Sequence, residues 1–308
     1  MNKISVVVSA FNEEKNLSAC LESLAWADEI VVVDNESTDK TAQIAKKYTK
    51  KLYSQKNDPL QIDVQKNFGF TKATHEWVLS LDADERISPE LSHEIKKVIA
   101  DTQANGFKIP RKNIVFGKWI EHSFLWPDYQ VRLFKKGKGR YASSQVHQQL
   151  QVEGTVDTLE SPLLHENYQS ISQFLQKMDK YTDNEANSLF EKNTHFHWID
   201  AARLPVRDFL KTFFLQNGYK DGLHGFVFST LQAFYTFLVW AKVWEKQGFV
   251  QVEGDNFLTE LFSEWKKLHA EVSYWFFTTL IAEIKNPVTK AKLHIQKKIA
   301  ERNTKRQS

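Results

Sequence analysis

The run Leu79-Ser80-Leu81-Asp82-Ala83-Asp84-Glu85 carries an apolar strand directly into two carboxylates two residues apart. At a strand end, Asp82 and Asp84 can both reach one loop-bound ion, or one can hold a metal while the other takes a ribose hydroxyl. Mg²⁺ and Mn²⁺ favour such oxygen ligands and keep positions open for substrate phosphates. A cation held there can neutralise a departing diphosphate. In a chain with 38 acidic residues the pattern alone is weak, a solvated acidic turn being the bland alternative.

Two further strand ends add to it. Val31-Val32-Val33-Asp34 ends in a carboxylate able to accept from a pyrimidine N3–H, followed by Asn35-Glu36-Ser37-Thr38-Asp39, where Ser37 and Asp39 are helix N-cap types. Ser9-Ala10-Phe11-Asn12-Glu13-Glu14 is again a strand followed by a polar turn, whose backbone can line a nucleoside. Farther along, Trp126-Pro127-Asp128-Tyr129-Gln130-Val131-Arg132 offers a carboxylate, Asp128, that can take a proton from an attacking hydroxyl. The competing role for Asp128 is a buried carboxylate paired with Arg132 or with backbone donors. Arg132 suits either forked contact with phosphate or a structural ion pair. Trp126 can stack on a sugar face or simply pack.

The elements that must position these residues follow from the pattern. Strands are expected at 4–10, 30–34, 77–81 and 107–109, with helical stretches at 13–24 and 39–48 between them, the alternation of a mainly parallel sheet. Ser88-Pro89-Glu90 supplies an N-cap and a proline at the first helical position, opening a helix to about residue 100. All three polar strand ends then fall on the carboxyl edge of the sheet, where open α/β sheets bind ligands. From 110 to 165 the segments are short, glycine-punctuated and aromatic; from Ser170 onward the pattern is helical. The expected division is 1–168, with a donor half 1–110 and an acceptor half 111–168, and then a helical region 169–308.

Composition narrows the classes. With 308 residues, 42% hydrophobic and 26% charged, the chain is an ordinary folded protein. Its formal net charge of +3 is too small to argue for nucleic acid, which is not expected as a partner, although the basic tail is compatible with anionic lipid or with RNA. A single cysteine, Cys20, excludes an intrachain disulfide, and no Cys/His spacing marks a zinc site. The first residues read as a strand and not as a signal peptide, so a cytosolic location is expected. Residues 225–241 carry no charge but are short for a membrane span, which needs about 20 residues. A buried helix competes there with membrane-surface contact through Phe226, Phe228, Phe237 and Trp240, helped by a tail from Lys285 onward with eight basic residues and one acid.

In their order and spacing, the segments around Asn12, Asp34 and Asp82 resemble the nucleotide-sugar-binding half of family 2 glycosyltransferases. Lys66-Asn67-x-Gly69 matches a helix preceding that family's metal strand. Asn35 and Glu36 stand where the family more often has Asp-Gly. Gly117-Lys118-Trp119, the Trp126 to Phe134 segment, Val146-His147 and Leu164-His165 are similar to a narrower group that includes lipopolysaccharide inner-core glucosyltransferases acting on heptose; Gln148 stands where that group often has Glu.

The resemblance implies an α/β, GT-A (nucleotide-diphospho-sugar transferase) mainly parallel sheet flanked by helices, with an α-helical carboxy-terminal region. It implies an inverting, divalent-metal-dependent transfer of a hexose, glucose by similarity, from a UDP-sugar to a cell-surface glycan or glycolipid acceptor. Ala10, Phe11, Asn12, Glu14, Asp34, Lys66, Asp82 and Arg132 would bind the nucleotide sugar, and Trp126 the acceptor. Asp128 would be the base, and Asp84, Asp82 and His147 the ligands of Mg or Mn. A polyprenyl-phosphate glycosyltransferase and an inactive nucleotide-sugar-binding scaffold are the alternatives, and the oligomeric state stays open.

Overall fold

The computed structural model describes residues 2–58, 62–142, 149–251 and 256–305. They fall into two compact units: Met1–Glu121 with Leu125–Gln169, and His122–Phe124 with Ser170–Ser308. Three residues in the middle of the expected acceptor half thus cluster with the helical region.

The first unit is built on strands β1 (Ile4–Ala10), β2 (Glu29–Asp34), β3 (Leu52–Ser54) and β4 (Trp77–Asp82), all parallel, in the order β3-β2-β1-β4. Their near-continuous apolar runs suit strands covered on both faces. Alternate residues of β1 feed two layers, Ile4, Val6, Val8 and Ala10 on one side and Val7 on the other. The flanking helices α1 (Leu17–Glu22) and α2 (Thr41–Ala45) are shorter than the sequence suggests. α4 (Pro89–Ala100) begins where expected, with the Ser88 hydroxyl accepting from the Leu91 N–H at 3.2 Å. Between them, α3 (Ile62–Lys72) lies very close to the sheet at Gly69, where an added Cβ would stand 2.5 Å from Val7 Cγ1 and 3.0 Å from Val33 Cγ2.

The sheet then continues with strands of mixed direction. β8 (Asp128–Lys135) pairs antiparallel with β4 and with β6 (Gly106–Val115). Next to β6 lies β12 (Leu163–Tyr168), parallel to it, and the two-residue β5 (Glu85–Arg86) closes the edge. β6 is much longer than the expected 107–109 because Pro110, normally a strand breaker, sits inside it opposite Tyr129. The architecture is the expected α/β class.

Among the described residues, the second unit contains five long helices, α5 (Ile171–Glu191), α6 (Trp198–Leu210), α7 (Leu223–Lys246), α8 (Phe257–Glu283) and α9 (Pro287–Lys305). Among the described residues, α7 is the one helix long and apolar enough to cross a membrane by length and composition, and only 22% of its apolar window is buried. Leu223, Phe226, Phe234 and Phe237 are exposed along one side of α7, at spacings that keep them on one helical stripe. Of the four expected membrane anchors, Phe228 is instead a core residue, 2% exposed, meeting Phe124 at a tilt and Phe174 edge-on, and Trp240 is half-buried. Phe228, two residues after Phe226, lies on the opposite side of α7 from the exposed stripe, which composition alone does not distinguish.

Candidate active site

The three polar strand ends meet. Ala10 is opposite Asp34 in the β1–β2 register, and Ser9 is opposite Asp82 in β1–β4, so one row of the sheet carries all three segments. Two of the loops that follow are tied to each other. Asn12, at a left-handed φ of 55°, accepts from the Thr38 N–H at 2.8 Å, and its own N–H donates to Ser37 Oγ at 2.9 Å. The Glu14 N–H donates to Asp39 at 3.1 Å, and the Glu14 carboxylate accepts from the Lys40 N–H at 3.2 Å. Asp34 is buried and accepts weakly from the Ser37 N–H at 3.3 Å, while Phe11 is 40% exposed. Asn35 is buried, donating to Ser9 Oγ and accepting from Gln55. The result is a fixed polar wall with one exposed ring.

At the end of β4, each oxygen of Asp82 meets a different cation. Lys66 Nζ from α3 is 2.6 Å from Oδ1, and Arg132 Nη2 from β8 is 2.8 Å from Oδ2. Burial would push the Lys66 amine down, but the Asp82 charge outweighs it and holds the amine above its ordinary value. Burial likewise pushes the Asp82 carboxyl up, and Lys66 and Arg132 overcome this to hold it well below the usual range. Arg132 also donates to Glu85 at 2.6 Å, a fully buried carboxylate that accepts the Asp82 N–H at 2.9 Å as well.

Asp128 is not paired with Arg132, contrary to one of the expected arrangements. Four residues of extended strand put them about 13 Å apart along β8. Its partner is Arg111 on β6, directly opposite in register, whose Nε donates to Oδ2 at 2.8 Å. Asn113 adds a 3.4 Å contact to Oδ2, and Gln130 donates to Oδ1 at 2.7 Å. Burial raises the Asp128 pKa, but the Arg111 charge and these hydrogen bonds win, so the carboxyl sits below its ordinary value. Because Oδ2 is crowded by Arg111 and Asn113 while Oδ1 takes Gln130, Oδ1 has the spare acceptor capacity for an incoming hydroxyl. Trp126 is half-buried and meets Trp119 edge-on at 5.3 Å.

Asp84 pairs with a residue that the sequence did not single out as a ligand. His165 on β12 places Nε2 3.6 Å from Asp84 Oδ2 and Nδ1 2.7 Å from Asn113 Oδ1. The Asn113 amide nitrogen is committed to the Leu125 carbonyl at 2.9 Å, so its oxygen faces His165 and the histidine donates from Nδ1. The Nε2 lone pair then confronts a carboxylate oxygen, and a proton or a metal ion between them satisfies both. Histidine ligands normally have their other nitrogen hydrogen-bonded in this way. Asp84 and His165 are therefore the residues that could hold a divalent cation, whose remaining positions would go to phosphate and water oxygens. Among the described residues, no three His, Cys, Asp or Glu side chains group as a metal cage. The expected ligand His147 lies outside the described residues, and the expected ligand Asp82 is engaged by Lys66 and Arg132. Cys20, buried beneath the site, has its thiol pushed up by burial and by the neighbouring carboxylates, which makes it a poor nucleophile.

The chain is similar to several known proteins. The family model "Glycosyl transferase family 2" matches residues 5–149. An uncharacterized glycosyltransferase of Rickettsia typhi, RT0209, is 31% identical over 258 residues, covering 80% of this chain and 88% of that protein. The lipopolysaccharide core biosynthesis glycosyltransferase LpsC of Rhizobium meliloti is 28% identical over 256 residues, covering 80% of this chain and 93% of LpsC. Among solved structures, S. aureus TarS 1–349 in complex with UDP-GlcNAc covers 80% of this chain and 92% of its own, at 15% identity and a TM-score of 0.42.

Proposed function

This chain belongs to glycosyl transferase family 2, and from that membership we propose that it transfers a hexose, glucose by the similarity of its downstream motifs, from a UDP-sugar to a lipopolysaccharide-core-like or other cell-surface glycan acceptor, with inversion. The observation that carries this reading is the convergence, on one sheet edge, of a hydrogen-bonded polar wall, two buried cations and a separately held carboxylate. Asp34 and the Asn12 loop would take the base and ribose. Lys66 and Arg132 would take the diphosphate, arginine by forked contact. Asp128 would accept the acceptor hydroxyl's proton at Oδ1 as that hydroxyl attacks the anomeric carbon opposite the leaving diphosphate. A divalent cation on Asp84 and His165 would supply Lewis-acid neutralisation of the diphosphate. The relative named for lipopolysaccharide core biosynthesis supports the acceptor class.

The test is transfer from UDP-glucose to glycan prepared from a strain lacking this chain. Turnover is expected to vanish in chelator, to return with Mg²⁺ or Mn²⁺, and to give a product of inverted anomeric configuration by NMR. Chelator-resistant turnover would remove the metal role, and a retained configuration would remove the direct-displacement mechanism.

We also propose that the helical unit rests peripherally on the cytosolic face of an anionic membrane. The uncharged stripe of Leu223, Phe226, Phe234 and Phe237 and the exposed Lys285, Lys292 and Lys298 support this reading. Because Lys297 lies over the Tyr274 ring at 4.7 Å, α9 packs on α8, and the test keeps α9 while changing its charge. Replacing Lys285, Lys292 and Lys298 by Gln should lower affinity for phosphatidylserine vesicles at 0.1 M salt by up to ~10²-fold, read by co-sedimentation, each lysine near the surface contributing about 1 kcal/mol. Failure of the unaltered chain to co-sediment would discard the proposal.

A further inference from the structure

We infer that the Asp82 carboxylate is a built-in occupant of the diphosphate subsite, which Lys66 and Arg132 hold in place until the donor's diphosphate displaces it. The inference rests on the donor reading above and adds to it an exchange of ion pairs.

The burial of the three side chains points this way. The Lys66 and Arg132 side chains are 7% and 5% exposed, whereas that of Asp82 is 30% exposed. Two cations from different elements, one on a helix and one on a strand, thus converge from the protein interior on Asp82, although each also faces a second carboxylate, Arg132 that of Glu85 and Lys66 that of Asp63. Asp82 is the most exposed of the three carboxylates, at 30% against 19% for Asp63 and 0% for Glu85, and so the one that an incoming anion reaches first.

Neither cation is stranded when Asp82 leaves. Arg132 keeps Glu85 at 2.6 Å and Lys66 has Asp63 at 3.5 Å. Departure requires a rotation of the Asp82 side chain at the strand end, with no movement of β4 itself.

A second observation is independent of the pairing. Arg132 Nε is buried and has no hydrogen-bond partner among the described residues, although the residue is only 4% exposed. A buried guanidinium N–H without an acceptor is costly. The monodentate carboxylate reaches only Nη2, whereas a phosphate group forks across two guanidinium nitrogens. Asp82 is therefore an incomplete substitute for the group that the subsite fits. A diphosphate brings more negative charge and more oxygens than a carboxylate, so it wins both cations on binding.

Inorganic pyrophosphate binding to the full chain, measured by calorimetry in EDTA so that no metal takes part, tests this directly. If Asp82 occupies the subsite in about nine molecules of ten, apparent affinity is reduced about tenfold by the fraction of open sites. Asp82→Asn should therefore bind pyrophosphate at least ~10-fold more tightly than the unaltered chain. Asp84→Asn removes the same charge from beside His165 and should change binding by less than about threefold. Lys66→Gln should weaken it.

Unchanged or weaker binding in Asp82→Asn overturns the inference. So does an equal gain in Asp84→Asn, which would mean generic repulsion. Should Asp82→Asn fail to fold, a crystal of the unaltered chain soaked in pyrophosphate decides. The ion on Lys66 and Arg132 with Asp82 rotated away supports the exchange, and Asp82 still bonded to both cations refutes it. Tighter pyrophosphate binding in Asp82→Asn together with no UDP-sugar binding by the metal-loaded chain would sink the donor reading and leave the exchange standing.

Discussion

Asp128→Asn is expected to lower transfer at least ~10²-fold, the loss associated with a positioned general base, while donor affinity stays within about threefold. The asparagine keeps the shape of the side chain and still offers one oxygen, so the Gln130 or Arg111 hydrogen bond survives. What disappears is the ability to accept a proton from the acceptor hydroxyl. Transfer within about tenfold of the unaltered chain would place the base elsewhere; a variant that unfolds would make the Arg111 pair structural.

The same ion pair sets the pH profile. Asp128 is held below its ordinary carboxylate value, the charge of Arg111 outweighing burial, so it stays ionised as pH falls until below ~3.9, the unperturbed carboxylate value. Activity governed by Asp128 is therefore flat through pH 5. Arg111→Gln removes the main stabilising charge and leaves burial acting upward. The acid limb of kcat/KM should then move to higher pH. A limb that stays in place would exclude Asp128 as its source.

Glu85→Gln is expected to be the most destabilising single change at this site. Glu85 is fully buried, accepts from Arg132 and from the Asp82 N–H, and has Arg111 at 3.8 Å. Removing one partner of a buried ionic network costs about 3–5 kcal/mol, because the remaining charge is left under-compensated. Scanning fluorimetry should show the melting transition lowered by about 10 °C, at roughly 2–4 °C per kcal/mol for a domain of this size. A shift under about 2 °C would show that Asp82 alone neutralises Arg132.

The parts of the site that were legible in the sequence are those that sit where a buried parallel strand ends. Val31-Val32-Val33-Asp34 and Leu79-Ser80-Leu81-Asp82 each state locally that an apolar run stops in a carboxylate, and the parallel register then aligns them. Arg111, Asn113 and His165 are polar residues facing inward from β6 and β12, and a side chain's face is set by register, which depends on the partner strand. Their signal was present as Arg-x-Asn after Pro110, alternating polar positions inside a strand, but the proline ended the expected strand too early. Glu85 was visible beside the aspartate pair, yet its partners Arg132 and Arg111 are 47 and 26 residues away, beyond any local pattern. The helical unit was legible as helices. Which ring of α7 is core and which is surface depends on packing against its neighbours, as Phe228 shows.

The close seating of α3 at Gly69 makes the reach of Lys66 a matter of spacing as much as of charge. With Val7 Cγ1 only 2.5 Å from where a Cβ would stand, any side chain at 69 would wedge the helix away from β1 and β2, and the amine one turn earlier would travel with it. A hydrogen bond of 2.6 Å weakens within a fraction of an ångström of such travel. Residues 66 and 69 therefore act as arm and fulcrum. A longer cation at 66 could make good the loss of the glycine, and a shorter one could not, so the two positions are constrained to vary as a pair.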